Sequence, residues 1–122
     1  MPEHRHRLLL VEDHPETRQT LRRMLRLCGW DVAEAATVAE GMDRLDPPPD
    51  CVLLDLALPD GDGEAILRKV RDDLLPTRVV VHTGANDPDR LMSALELGPD
   101  SLLLKPIDSA DLRRICQLAA EN

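Results

Sequence analysis

The chain has 122 residues, which is room for one domain of ordinary size and no second one. Apolar residues make up 43%, yet there is no Phe, no Tyr and a single Trp30, so the core has to be aliphatic. A formal net charge of −8 argues against direct nucleic-acid binding, because neutralising phosphates needs a basic surface.

Residues 1–7 are charged and lack the apolar stretch of a signal peptide, and no run approaches membrane-spanning length. The expectation is a cytoplasmic protein without membrane attachment. Residues 8–11 form an apolar run too short for an amphipathic helix, and they fit a strand buried on both faces. Pro15 suits the first position of a helix that carries Leu21, Met24, Leu25 and Cys28 on one face, with Gly29 just past its end. Residues 30–35 read as the second strand. Thr37 and Glu40 have capping-box spacing, and Val38, Met42 and Leu45 form the inner face of a short helix that Pro47, Pro48 and Pro49 stop.

Residues 51–54 are the third strand, and the run 59–63, Pro-Asp-Gly-Asp-Gly, signals a loop before a helix bearing Ile66, Leu67 and Val70. Residues 79–82 are the fourth strand. Asp87-Pro88 starts a helix with Leu91, Met92 and Leu95 inward, closing at Gly98-Pro99. Residues 102–104 are the fifth strand, and Asp108-Ser109 caps a last helix with Leu112, Ile115 and Ala119 on its buried side. Cys28, Cys51 and Cys116 sit in apolar contexts without metal or redox spacing and read as reduced core residues. His4, His6, His14 and His82 also lack metal-ligand spacing and read as structural or surface groups.

The alternation of strands and helices predicts an α/β fold with a mostly parallel sheet. Its ligand site would lie beyond the carboxyl ends of the strands, where strand order reverses. Glu12-Asp13, Asp55, Thr83 and Lys105 each follow one of the apolar runs, so they would meet in one crevice. Three carboxylates brought together repel one another unless a cation sits between them. An all-oxygen cluster with few ligands suits Mg²⁺. With an ammonium and a hydroxyl added, the inventory describes a phosphoryl site with a carboxylate nucleophile.

These pieces resemble the receiver domain of two-component response regulators over nearly the whole chain. The matching text is Leu-Leu-Val-Glu-Asp-His at 9–14, Leu-Leu-Asp-Leu-Ala-Leu-Pro-Asp-Gly-Asp-Gly at 53–63, His-Thr-Gly at 82–84 and Leu-Lys-Pro at 104–106. The resemblance implies a flavodoxin-like doubly wound (βα)5 fold with strand order 2-1-3-4-5 across residues 1–122. It implies that Asp55 accepts a phosphoryl group from the phosphohistidine of a histidine kinase or histidine phosphotransfer protein, in a signalling role rather than as an enzyme. Mg²⁺ would be bound by Asp13, Asp55 and the backbone carbonyl of Ala57, with Glu12 acting mainly through metal-bound water, while Thr83 and Lys105 hold the phosphoryl oxygens. A cis Lys105-Pro106 bond would aim the ammonium inward. Homodimer formation is left open, as is whether the chain stands alone or belongs to a longer regulator or hybrid kinase.

Competing readings attach to most of these residues. Asp13 ahead of Pro15 also reads as a helix cap, Thr83 as a turn cap and Lys105 as a solvated lysine. Asp60-Gly61-Asp62-Gly63-Glu64 lacks the rest of a Ca²⁺ loop, and its glycines fit a turn off the third strand that keeps Asp55 accessible. A true aspartyl-phosphate enzyme of the haloacid-dehalogenase type would need a second Asp two residues after the nucleophile, where Ala57 stands. Leu102 occupies the position where receivers usually carry an aromatic switch residue, which suggests a phosphorylation-independent interaction module as the alternative. Ala57 and Ala85 flank the crevice with methyl groups. Arg18, Arg22 and Arg26 line one flank of the first helix, either as a solvated face neutralised by Glu16 or neighbouring acids, or as a docking strip for an acidic partner.

Overall fold

The computed structural model describes residues 6–84 and 88–121. Along the chain run β1 (Arg7–Val11), α1 (Pro15–Leu27), β2 (Asp31–Ala35), α2 (Val38–Asp43), β3 (Cys51–Asp55), β4 (Ala57–Leu58) and β5 (Gly61–Asp62). They are followed by α3 (Glu64–Asp72), β6 (Arg78–Thr83), α4 (Pro88–Glu96), β7 (Ser101–Leu104) and α5 (Ser109–Glu121). The main sheet has the order β2-β1-β3-β6-β7, and every neighbouring pair in it is parallel. That is the expected 2-1-3-4-5 order with the two short strands of a hairpin counted in. The chain steps from β1 out to β2 and then returns to β3 on the other side of β1, so order reverses between β1 and β3.

Period-two alternation sorts the central strands into two aliphatic layers. Leu9, Val11, Val52, Leu54, Val79 and Val81 face Ile66, Leu67 and Val70 of α3 and Ala94 of α4. Leu8, Leu10, Leu53 and Val80 face Leu21 and Leu25 of α1, Trp30 and Ile115 of α5. Trp30 lies just before β2, buried, and its indole N–H donates to the carbonyl of Ile115 at 3.2 Å, which removes the cost of burying that donor.

Capping agrees with the sequence in most places. Glu40 N–H donates to Thr37 Oγ1 at 3.0 Å, and the Glu40 carboxylate accepts from Ala36 N–H at 3.1 Å, one residue earlier than a standard capping box. Asp108 Oδ1 accepts from Asp111 N–H at 2.7 Å at the start of α5.

Four expectations are corrected. Cys28 and Cys116 are not free thiols: a disulfide joins the C-cap of α1 to α5, with Cα atoms 5.3 Å apart, and only Cys51 is a buried free cysteine. Both stand on helices that pack on the same face of the sheet, a proximity that local spacing cannot reveal. In α4 the buried residue is Ala94, with Leu91 and Leu97 half-buried beside it, whereas Met92 and Leu95 point outward at 58% and 46% exposure. Alanine's small side chain allows the helix to rest on that turn instead. The Leu102–Leu104 run belongs to an edge strand, so only Leu103 is buried and Leu104 is exposed. The loop after β3 forms an antiparallel hairpin, with Ala57 opposite Asp62, Leu58 opposite Gly61, and Pro59-Asp60 at its turn. Ala85 and Asp87 lie outside the described residues, as does His4.

Candidate phosphoryl and metal site

Each residue of the site is delivered by the end of a strand. β1 ends at Val11 and releases Glu12 and Asp13, β3 ends on Asp55, β6 ends on Thr83, and β7 ends one residue before Lys105. Because neighbouring strands are parallel, these ends lie on one edge of the sheet. Glu12 N–H continues the ladder by donating to Ala35 O at 3.0 Å, and Lys105 N–H donates to Thr83 O at 2.8 Å. The backbone of both residues is therefore locked before their side chains diverge from the sheet. The Lys105–Pro106 peptide bond is cis.

Glu12, Asp13 and Asp55 present carboxylate oxygens that lie within 4.8 Å of one another. Lys105 Nζ donates to Glu12 Oε1 at 2.8 Å and to Asp55 Oδ2 at 2.9 Å. The free oxygens are also occupied: Glu12 Oε2 accepts from His14 N–H at 3.1 Å and Asp55 Oδ1 from Ala57 N–H at 3.0 Å. Glu12 is fully buried and the Asp55 side chain is 4% exposed, so Asp55 lies beneath Lys105 rather than open to solvent as its glycine-rich surroundings suggested. Thr83 is buried and Asp13 is exposed.

Asp13 is not the helix cap. His14 has that position, its Nδ1 accepting from Thr17 N–H at 3.4 Å, which leaves the Asp13 carboxylate for the crevice. The turn that presents Asp55 depends on Gly63, where a Cβ would collide with the Asp55 backbone carbonyl. Gly63 N–H also donates to Leu56 O at 2.8 Å.

The crevice brings buried acids and a half-buried base into direct contact. Burial pushes the Glu12 carboxyl above its usual range, and the hydrogen bonds from Lys105 and His14 only partly oppose it. Burial would lower the Lys105 ammonium, but its bonds to Glu12 and Asp55 more than offset that and hold it above its ordinary value. Three carboxyl groups set against one ammonium form a hard-oxygen donor set that suits a divalent cation.

Two arginines of the α1 strip, Arg18 and Arg22, share one acid not named from the sequence. Arg18 Nε and Arg22 Nη1 reach the Glu34 carboxylate of β2 at 3.3 and 3.1 Å. Arg18 also donates to the carbonyl of Glu12 at 3.0 Å, so it braces the backbone of the site. In the sequence Asp60 and Asp62 stand out only for their resemblance to a Ca²⁺ loop. Asp60 accepts from Val38 and Ala39 N–H at 2.7 and 3.1 Å, capping α2 from the hairpin, and Asp62 pairs with Arg90 of α4 at 3.2 Å. Their signal was an acidic pair around a glycine turn, without a register to say which helix it meets.

Residues 8–117 match the family model of the response regulator receiver domain. The chain belongs to that family. It is 32% identical to the nitrate/nitrite response regulator protein NarL of Escherichia coli K12 over 93% of this chain and 54% of that protein. It is 34% identical to the KDP operon transcriptional regulatory protein KdpE of the same organism over 92% of this chain and 50% of that one. This receiver domain thus spans about half the length of the curated relatives it matches. Among solved structures, the receiver domain of the NarL response regulator from Mycobacterium tuberculosis superposes with a TM-score of 0.81 at 30% identity. That match covers 99% of this chain and 100% of the other.

Proposed function

We infer that this receiver domain is phosphorylated on Asp55 in a Mg²⁺-dependent reaction whose donor is the phosphohistidine of a histidine kinase or histidine phosphotransfer protein. The observation that carries the reading is the convergence of Glu12, Asp13 and Asp55 within 4.8 Å under the Lys105 ammonium. In the transfer, an Asp55 oxygen attacks phosphorus, the phosphorus–nitrogen bond of the donor breaks, and the imidazole leaves with the electron pair. Lys105 is set to move from Asp55 Oδ2 to a phosphoryl oxygen, so its charge stays paired throughout. Thr83, at the end of β6, supplies a hydroxyl to the same group. Ala57 N–H holds Asp55 Oδ1 at 3.0 Å, which fixes the rotamer of the nucleophile.

Glu12, Asp13, Asp55 and the Ala57 carbonyl would hold Mg²⁺, which when bound offsets the negative charge shared between carboxylates and phosphoryl oxygens. A signalling role in the cytoplasm is part of the same reading, and the match to the receiver-domain family supports it. Among the described residues, no helix is long and apolar enough to cross a membrane.

The test is intact-mass measurement after incubation with acetyl phosphate, with and without Mg²⁺. Wild type is expected to gain one phosphoryl group only with the cation, and Asp55→Asn to gain none. Incorporation into Asp55→Asn at the wild-type rate would place the nucleophile elsewhere. A wild type that stays unmodified while melting cooperatively would favour the phosphorylation-independent interaction module.

A further inference from the structure

The α1/α5 face carries a feature that phosphoryl chemistry does not use. Cys28 caps α1 at the end remote from His14, and its disulfide to Cys116 closes a loop with a sequence separation of 88. Both residues are half-buried rather than sealed in the core. The Cα separation of 5.3 Å falls within the range that a disulfide bridges without backbone movement.

Among the described side chains of α5 only Ile115 is fully buried, with Leu112 and Leu118 packed at the margin. Among its described side chains, the helix is held to the sheet by Ile115, by the marginal contacts of Leu112 and Leu118, by the Trp30 hydrogen bond to Ile115 O and by this bond. Such a helix can detach locally while the five-stranded core stays folded. The third cysteine does not compete: Cys51 is fully buried in β3, and burial pushes its thiol up to about 12.

We propose that Cys28 and Cys116 form a reversible redox site, oxidised by a small-molecule disulfide of the glutathione class, that fastens α5 to α1 in one state and releases it in the other. One cysteine thiolate attacks the small disulfide, forming a mixed disulfide and expelling one thiolate. The second cysteine then attacks the protein sulfur of that mixed disulfide and expels the other. Two protein S–H groups and one disulfide thus become one protein disulfide and two small thiols, and two electrons pass to the small molecule.

The tether acts on the groove of about 740 Å³ that runs beside the phosphoryl site. Its walls are His14, Thr17, Leu21 and Met24 of α1 facing Pro106 and Ile107, the residues that join Lys105 to α5. Releasing α5 frees that wall, and with it the segment that positions the ammonium. This coupling to Lys105 rests on the phosphoacceptor reading; the redox site does not.

The whole chain is equilibrated in mixtures of reduced and oxidised glutathione, quenched with acid, denatured, alkylated and weighed. Three alkyl adducts are expected at the reducing end and one, on Cys51, at the oxidising end, with the change reversing when the mixture is reversed. Emission from Trp30, the single tryptophan, should follow the same midpoint, because its indole hydrogen bond ends on the residue next to Cys116. Oxidation is expected to raise the melting temperature by on the order of 10 °C.

Cys51→Ser should keep the response, and Cys28→Ser and Cys116→Ser should each lose it while melting like reduced wild type. One adduct at every ratio until the chain unfolds would show a permanent staple, and three adducts at every ratio would show no bond. Either result overturns the proposal while leaving Asp55 phosphorylation untouched. Asp55→Asn is expected to keep the full redox response, so failure of the phosphoacceptor reading is seen separately.

Discussion

His82 ends the fourth apolar run without being apolar. It is fully buried on β6, between Asp55 and Leu103 in the sheet register, and among the described residues no group within hydrogen-bonding distance meets either ring nitrogen. Burial, reinforced by the nearby Lys105 charge and opposed by Asp55, pulls its imidazole down to about 4 from the ordinary 6.5. The folded chain therefore keeps His82 neutral where the unfolded chain takes up a proton. Stability from this group is intact above pH 6.5 and falls as pH drops through the window to about 4, by roughly 3 kcal/mol in all. His82→Leu should remove that dependence. Denaturant midpoints of the variant and wild type, compared at pH 7 and pH 4.5, are expected to diverge in favour of the variant at the lower pH. Parallel loss of stability in both would show that His82 is protonated within the fold. The sequence placed His82 in a buried strand, but nothing local to it told that both nitrogens would lack partners.

Gly41 and Gly63 differ at the scale of the elements they join. At Gly41 an added Cβ meets the Cδ1 tip of Ile66, the end of a side chain that can rotate as α2 and α3 adjust. At Gly63 it meets the backbone carbonyl of Asp55, which is fixed by β3 and cannot yield without moving the nucleophile. Gly63→Ala is thus expected to cost about 1–3 kcal/mol and to depress phosphoryl incorporation. Gly41→Ala should cost less and leave incorporation near wild type. Chemical denaturation alongside acetyl phosphate labelling reads both effects, and equal behaviour of the two variants would remove the special role given to Gly63. The loop was legible as glycine-rich. That it folds back as a hairpin, with Asp60 capping α2 and Asp62 on Arg90, depended on contacts 20 or more residues away.

For the molecule as a whole, three carboxyl groups meet at the edge of the sheet where the strands end. Mg²⁺ that binds only the folded chain should raise its melting temperature, since the unfolded chain has no comparable set of oxygens. At a free concentration one hundred times Kd, the stabilisation is about 2.7 kcal/mol. Asp13→Ala is expected to abolish this response with little effect in metal-free buffer, because Asp13 is exposed and neither caps α1 nor packs in the core. A thermal scan over millimolar Mg²⁺ checks it, and an undiminished shift in Asp13→Ala would take that carboxylate out of the metal site.

The sequence by itself determined the α/β class, the five parallel strands and the edge at which the site lies. Strands buried on both faces must be written as unbroken apolar runs, and chemistry at their ends is written as the first polar residues after each run. Glu12, Asp13, Asp55, Thr83 and Lys105 were all legible for that reason. Tertiary structure alone decided what depends on helix rotation and on pairs distant along the chain. It set Ala94 rather than Met92 and Leu95 against the sheet, gave Arg18 and Arg22 to Glu34, brought Cys28 to Cys116, and laid Lys105 over Asp55. Each of these follows from how elements distant along the chain meet, and periodicity within one element carries no information about its neighbour.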